Sequence, residues 1–501
     1  MNHKKTLPTV AVIGTGFSGL CAAIQVKKQL GIKAQVYEIS ADVGGTWHDN
    51  TYPGCACDIP SPLYSFSFEL NPDWSHHYSP QNEIYEYLRK VAQKYNIYEQ
   101  TKFETEVIRI DWIQEKQLWK IDSKSTNRNR SQEIVTEHFD YVFAGLGPLR
   151  IPNIPAQFEG FTGKIVHTAL WDSSVDFTNK NVAVVGSGAS AIQAIPELRK
   201  VAKHLTSYQR TPAWIAPRDQ FAYSRVTKFL LKHIPFLMRI FRNTIFFQHE
   251  LYYVGFGFYG TFISRIVHRV FEKLTAFRLK RVGRPDLIPV LTPSFPPGCK
   301  RIAKSENYLE ALAKPNVTVV PRAVKDAQGN VLVDTEGNTQ QVDILVLATG
   351  FNIEGFLGNL EIYGRDSLSL RDKWEKNYPD TYKGATIHGF PNFFLLLGAG
   401  VGLGHNSVVT VIECQVQYAI RCMKHAMKKN LAALEPKLEA QNAYTANLRR
   451  QFIGTVWKSG CSSWYLNKDG DVYGLWPSTV TKFWWQTLNP GYKNFVEYKK
   501  T

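Results

Sequence analysis

TVAVIGTGFSG, residues 9–19, is a short β-branched apolar run that breaks into three spaced glycines. The run from Thr9 to Ile13 favours a strand. After Gly14, Gly16 and Gly19 comes LCAAIQVKKQL, whose apolar spacing is helical. The next apolar strand, KAQVYE, ends at Glu38. A strand, a GxGxxG turn, a helix and an acidic strand end make a dinucleotide-binding unit. Gly14 permits the tight turn. Gly16 lets backbone approach a pyrophosphate at the helix N-terminus, where free N–H groups and the helix dipole favour anions. Gly19 lets the helix pack closely on the strand. Glu38 is placed to accept hydrogen bonds from ribose hydroxyls.

The unit recurs in NVAVVGSGASAIQAI, with Gly186, Gly188 and Ala191 after another apolar strand. Glu38 and Arg210 each lie 24 residues beyond the first glycine of their turn (38 − 14 and 210 − 186). The two units are in register, yet the strand end is acidic in one and basic in the other. An acid there binds two ribose hydroxyls and repels a phosphate. Arg210, followed by Thr211, would accept a 2′-phosphate; its other reading is a solvated surface arginine. The first site should therefore hold an adenine dinucleotide with free ribose hydroxyls and the second NADP(H). Gly44, Gly45, Thr46 and Trp47 form a second glycine-rich stretch able to approach the first cofactor. DILVLATGFN runs an apolar strand into Ala348, Thr349 and Gly350 and reads as the return crossing to the first domain.

The chain has 501 residues, enough for two or more lobes, and a formal net charge of +16. That charge suits anionic partners. The basic residues are spread out and form no nucleic-acid module, so no nucleic acid is expected. Seven cysteines form no CxxC pair and no zinc spacing, so a cytoplasmic protein with reduced thiols is expected. Cys55 and Cys57 read as structural. His3-Lys4-Lys5 before an apolar run resembles a secretory signal, but the run contains the whole GxGxxG and no cleavage site follows. No later segment has the length of a spanning helix. His76 and His77 read as surface loop. No metal, P-loop or GxSxG elbow is indicated.

Two nucleotide sites in one chain suggest a flavoprotein that takes hydride from NADPH. A disulfide reductase would need a redox-active cysteine pair beside the flavin, and neither usual spacing occurs. Oxygen, a quinone or another carrier remains as the acceptor.

At this point the chain resembles a known family. FTGKIVHTALWD carries Phe161, Gly163, His167, Trp171 and Asp172, matching the Baeyer–Villiger monooxygenase fingerprint FxGxxxHxxxW followed by Pro or Asp. GGxWxxxxYPGxxxD is also matched, from Gly44 and Gly45 through Trp47, Tyr52, Pro53 and Gly54 to Asp58. The related flavin-containing monooxygenases usually end the first pattern differently. Trp171 and Asp172 therefore place the resemblance on the ketone-oxidising branch.

The resemblance implies an α/β fold of two Rossmann-like domains, for FAD and for NADP(H), the second inserted in the first, with a helical subdomain. It implies that oxygen, held as a C4a-peroxyflavin, is inserted beside a ketone carbonyl to give an ester or lactone. Sulfide or amine oxidation and a non-enzymatic redox sensor are the alternatives. Within PPGCKRIAKSENYLEAL, Arg301 is by resemblance the catalytic arginine, and Lys300 binds the 2′-phosphate with Arg210 and Thr211. An exposed basic pair is the competing reading. Asp58 would lie beside the flavin and orient Arg301; a turn-capping aspartate is its competing reading. His167 reads as coupling the domains through the linker rather than as a base.

The expected division is residues 1–150 for the first part of the FAD domain and 151–217 for the linker and first part of the NADP domain. Residues 218–288 form a helical insertion, 289–342 the second part of the NADP domain, and 343–501 the rest of the FAD domain with the substrate-side C-terminus. The insertion is rich in Phe, Tyr, Arg and Lys. It reads either as a packed helical cap or as a surface for peripheral contact with anionic membrane. The C-terminal aromatics should wall the substrate entry. GLGHNS, residues 402–407, should open a helix near the flavin ring.

Overall fold

Two parallel five-stranded sheets carry the two glycine-rich turns. The protein is seen in a computed structural model that describes residues 7–461, 463–467 and 469–500; His3-Lys4-Lys5 lies outside them. The first sheet runs Phe393–Leu395, Tyr141–Ala144, Val10–Ile13, Gln35–Tyr37, Thr101–Lys102. The second runs Val317–Val320, His204–Tyr208, Asn181–Val185, Ile344–Leu347, Lys164–His167. VAVI, YVFA and ILVL are buried at every position, as strands of a parallel sheet covered on both faces must be. The helix Phe17–Leu30 is buried from Phe17 to Val26. It lies between the first sheet and the long helix Val408–Lys429, so apolar residues all round are what its position demands. Ser407 caps that long helix by accepting from the Val409 amide, so GLGHNS does open a helix.

One strand sits where the sequence did not place it. Ile344–Leu347, which leads into Ala348, Thr349 and Gly350, pairs with Asn181–Val185 on one side and Lys164–His167 on the other. It belongs to the second sheet, not to the first as expected for residues 343 onward. An all-apolar strand carries no mark of which sheet it joins. The return to the first sheet is made by Phe393–Leu395, paired with Tyr141–Ala144. The two crossings between the domains then lie side by side. The Asn153 amide donates to Gly350 O (2.9 Å), the Thr349 hydroxyl to Asn153 O (2.5 Å), and the Asn352 amide to Ile151 O (2.8 Å).

The insertion is helical: Arg225–His233, Pro235–Phe256 and Phe262–Arg281. Ser224 and Thr261 cap the first and third helices, and Pro235 starts the second at a position that needs no amide hydrogen. Cys299 and Cys461 are disulfide-paired, with Cα atoms 6.4 Å apart, which corrects the expectation of thiols throughout. They are 162 residues apart in sequence, so no local spacing announces the pair. The other five cysteines are free and buried. Among the described residues no helix is long and apolar enough to cross a membrane.

Candidate active site

The first glycine turn is built so tightly that no side chain fits. Gly14 has φ +88°, and a Cβ there would stand 2.7 Å from Gly145 O. A Cβ on Gly19 would stand 1.8 Å from Gly14 O. Gly45, at φ +52°, packs its backbone on Gly16, where a Cβ would come within 3.0 Å of the Gly16 Cα. Two glycine-rich loops thus close on each other and leave backbone, not side chains, facing the cleft. Glu38, 4 % exposed, accepts from the Thr15 amide (2.8 Å) and hydroxyl (2.6 Å) through one oxygen and from the Ser40 amide (2.9 Å) through the other. A carboxylate offers about four acceptor positions, so one stays open for a ribose hydroxyl. Thr46 and Trp47 begin a short helix at this cradle, and the Trp47 indole donates to the Tyr64 hydroxyl (3.2 Å). Backbone cradle, helix N-terminus and strand-end acid together fit a dinucleotide with free ribose hydroxyls.

The second turn repeats the backbone and inverts the charge. Gly186 has φ +130°, and a Cβ there would stand 2.4 Å from Ala348 O. Gly188 caps the helix Ala189–Leu198. Ser187 donates to Thr211 O (2.5 Å) and ties the strand end to the turn. Lys300 reaches this strand end from another segment. Burial lowers its ammonium pKa, and the neighbouring Arg210 lowers it further. Two neighbouring cations at the strand end make a site for a strong anion, which fits a 2′-phosphate.

Between the two turns lies the pair that the chemistry needs. Arg301 donates to Asp58 through Nε (2.6 Å) and Nη2 (2.7 Å), and through Nη1 to Leu403 O (3.2 Å). Side-chain exposure is 31 % for Arg301 and 21 % for Asp58, so both still face the cleft. Burial alone would raise the Asp58 carboxyl; Arg301 and Lys304 outweigh it and hold it below the ordinary carboxylate range. The Asp58 charge in turn keeps Arg301 protonated against its own burial. Cys55 is pushed up to about 12 and Cys57 higher still, both by burial first, so neither is a thiolate at neutral pH.

These groups line one continuous cleft of about 2050 Å³. It is bordered by Gly14, Gly16, Glu38, Gly45, Thr46, Trp47, Asp58, Gly186, Gly188, Arg210, Thr211, Lys300, Arg301, Thr349 and Gly350. Ordinary ligand pockets span roughly 300–1,000 Å³, so this one has room for more than one large ligand. Gly19 lies under the cleft as packing.

The fingerprint residues are elsewhere. Phe161 is buried in the second lobe's core, and a Cβ on Gly163 would strike its ring at 2.7 Å. His167 ends the edge strand, paired in register with Leu347, two residues before Thr349. Its Nδ1 accepts from the Ala169 amide (3.1 Å), and burial lowers its pKa, so the ring is neutral at the base of the paired crossings. Trp171 stacks on Phe177 at 5.4 Å. Asp172 is half-buried, pairs with Lys164 at 2.8 Å and accepts from Ser174. The stretch frames the interdomain crossings, and none of its five fingerprint residues lines the cleft.

Several contributors were not foreseen. Gln193, on the helix after the second turn, donates to Ala56 O (2.9 Å) and accepts from the Tyr52 hydroxyl (2.7 Å). A Cβ on Gly54 would stand 2.3 Å from Gln193 O. The YPG motif is thus where the Asp58 loop docks on the second lobe. Lys304, half-buried near Asp58, donates to the Tyr78 hydroxyl (3.2 Å). Tyr465 is buried against Arg301, and Trp464 lines the cleft. Lys304 lies in the short strand Ala303–Lys304, three residues after Arg301, and no local pattern marked it. His77, read as surface loop, instead stacks on Phe221 at 4.7 Å and bonds the Tyr223 hydroxyl at 2.8 Å.

The chain is similar to proteins of known family and structure. The model of the flavin-binding monooxygenase-like family matches residues 7–249. A Baeyer-Villiger monooxygenase of Pseudomonas aeruginosa is 37 % identical over 478 residues, covering 95 % of this chain and 88 % of that protein. One from Streptomyces coelicolor is 36 % identical over 479 residues, covering 95 % and 89 %. Among solved structures, an oxidized steroid monooxygenase bound to NADP superposes with a TM-score of 0.84 at 27 % identity, covering 98 % of this chain and 99 % of that one. An open cyclohexanone monooxygenase gives 0.82 at 25 % identity, covering 98 % and 99 %.

Proposed function

We propose, from the premise that the chain belongs to the flavin-dependent Baeyer–Villiger monooxygenase family, a division of the reaction among its own residues. The protein is an FAD- and NADPH-dependent monooxygenase that inserts one atom of O2 beside a ketone carbonyl, giving an ester or lactone. Bound FAD, once reduced by NADPH, supplies the oxygen-activating chemistry. The chain's task is to hold the cofactors, exclude water and stabilise negative charge.

Glu38 and the first glycine turn hold FAD. Arg210, Thr211 and Lys300 hold the 2′-phosphate of NADP(H). Asp58 accepts two of Arg301's five N–H bonds and Leu403 O a third, which leaves two beside the buried Tyr465. Those two donors stabilise the oxyanion that grows as the carbonyl is attacked. Arg301 suits this role because it cannot lose its proton at working pH. Lys304 adds a second positive charge beside Asp58 and keeps the carboxylate ionised. His167, neutral and sited at the paired crossings, positions one lobe on the other and moves no proton.

The observation that carries this reading is the two-pronged Arg301–Asp58 pair standing in one cleft between two charge-inverted nucleotide turns. The test is product analysis with purified enzyme, NADPH, O2 and a panel of ketones and sulfides. An ester carrying one oxygen atom from labelled O2 is expected. Hydrogen peroxide as the sole product would contradict the assignment, and sulfoxide without ester would move the protein to heteroatom oxidation. A cytoplasmic enzyme that also touches an anionic membrane surface through its insertion fits the basic, aromatic composition of residues 218–288.

A further inference from the structure

We propose that the outer face of the helical insertion docks in the plane of an anionic lipid bilayer and sets the enzyme on the phase that holds its apolar ketone. The docking itself is independent of the reaction; only the nature of the substrate rests on the functional reading above.

The second insertion helix, Pro235–Phe256, has two unlike faces. Met238, Ile245, His249 and Tyr253 are buried. Phe236, Ile240, Phe247, Leu251 and Val254 are each between 45 % and 70 % exposed. At 3.6 residues per turn these five fall within an arc of roughly 60°, opposite the buried set. The third helix repeats the pattern. Phe262, Ile266, Val270 and Phe277 are 45 % to 73 % exposed and share one face, while Phe271 and Leu279 are buried behind them. The turn between the helices adds Phe258 and Tyr259, and the bond from the Tyr259 amide to Gly454 O brings Ile453, 78 % exposed, to the same end. Single exposed apolar residues are normal on a protein surface, but continuous stripes on neighbouring helices mark a contact site.

The stripes cannot be turned inward. Glu250, on the buried side, accepts from Asn406 Nδ2 (2.8 Å) and from the amides of Val480 (3.0 Å) and Thr481 (2.9 Å). Arg242 is anchored near Ser65 O and Glu413. The inner face is therefore fixed, and the outer face is held in solvent.

Charge selects the occupant. From Arg225 to Arg281 the chain has eleven Lys and Arg residues against two acids, Glu250 and Glu272. Glu250 is buried, which leaves Glu272 as the one outward acid of this segment, while Asp73 and Glu310 from outside it stand near Lys232 and Arg278. Lys273 falls within the apolar stripe of the third helix, and Arg265 and Arg269 flank it by about a quarter turn. A second copy of this chain would set two strongly positive faces against each other. A nucleic acid would have no use for two rows of exposed aliphatic and aromatic side chains. An anionic bilayer takes both: apolar side chains enter the acyl boundary and the basic residues meet the headgroups. The helices lie on such a surface rather than span it. Asn406 lines the cleft and is bonded to Glu250 on the back of the docking helix, so the docked face and the substrate side share one residue pair.

Flotation of the purified holoenzyme with vesicles tests this without any turnover. Binding is expected to vesicles of phosphatidylcholine with one third phosphatidylserine at low salt. It should fall at least tenfold in high salt and on vesicles of phosphatidylcholine alone. Phe236→Asp, Phe247→Asp and Phe262→Asp combined should abolish it, with NADPH-driven flavin reduction unchanged. Arg265→Glu, Arg269→Glu and Lys273→Glu combined should lower it at least tenfold and keep the apolar stripes intact. No flotation with anionic vesicles at low salt, or flotation of both variants equal to that of wild type, would overturn the proposal. So would a wild-type dimer in solution that the triple Asp variant turns into monomer, since the face would then be a self-contact.

Discussion

The two glycine turns share a backbone and differ in their charges. Gly14 and Gly186 both turn at positive φ against a carbonyl of a neighbouring strand exit, Gly145 in one lobe and Ala348 in the other. Glu38 is then buried and bonded to Thr15 and Ser40. Arg210, at the matching position, is exposed and faces Lys300. The backbone of each turn provides for a pyrophosphate; the side chain at the strand end decides whether the ribose carries hydroxyls or a phosphate. In the proposed reading, charges at matched positions sort two cofactors that share an adenosine diphosphate half.

The comparison breaks most sharply at its third position. Gly19→Val must move a Cβ that would stand 1.8 Å from Gly14 O, whereas the second turn already carries Ala191 there. A loss of at least about 3 kcal/mol and of bound flavin is expected, read by thermal melting and absorbance. Arg210→Ala with Lys300→Ala should raise the KM for NADPH at least tenfold, with the KM for NADH little changed. Equal rises for both cofactors would end the phosphate assignment. Asp58→Asn strands a partly buried guanidinium and should cost about 1–3 kcal/mol, less than a fully buried pair because both groups keep some solvent. Its pH dependence has a definite sign. The Asp58 carboxyl is held low in the folded state, so its contribution is complete above about pH 4 and is lost as pH falls through the lower folded value. Wild type should therefore lose its melting advantage over Asp58→Asn only in that acid range. Gly188→Ala marks the small end of the scale. Nothing lies within 4 Å of its added Cβ, and a change within about 0.5 kcal/mol is expected.

Much of this was legible because local chemistry dictated it. Glycines at fixed spacing, an apolar strand before them and a charged residue at the next strand end can be read without a third dimension. Gly44, Gly45 and Trp47 were legible for the same reason. Ile344–Leu347 was not, because four buried apolar residues fit either sheet. Its true address depends on ladders with Asn181–Val185 and Lys164–His167, which sequence spacing does not encode. The Cys299–Cys461 pair and the clamp of Gln193 on the Asp58 loop were hidden likewise, since each joins segments more than a hundred residues apart. Gly54 was visible as part of a motif, but its reason, the close approach of the Gln193 backbone, appears only in space.

The central claim is that Arg301, aimed by Asp58, acts on the oxygen-transfer half of the reaction and not on hydride transfer. The measurement is the rate of flavin reduction by NADPH and the yield of ester per NADPH consumed, in wild type and in Arg301→Ala. The expected result is reduction within a few-fold of wild type together with ester formation lowered by about 10²–10³ or more. Ester formation at the wild-type yield in Arg301→Ala would contradict the account.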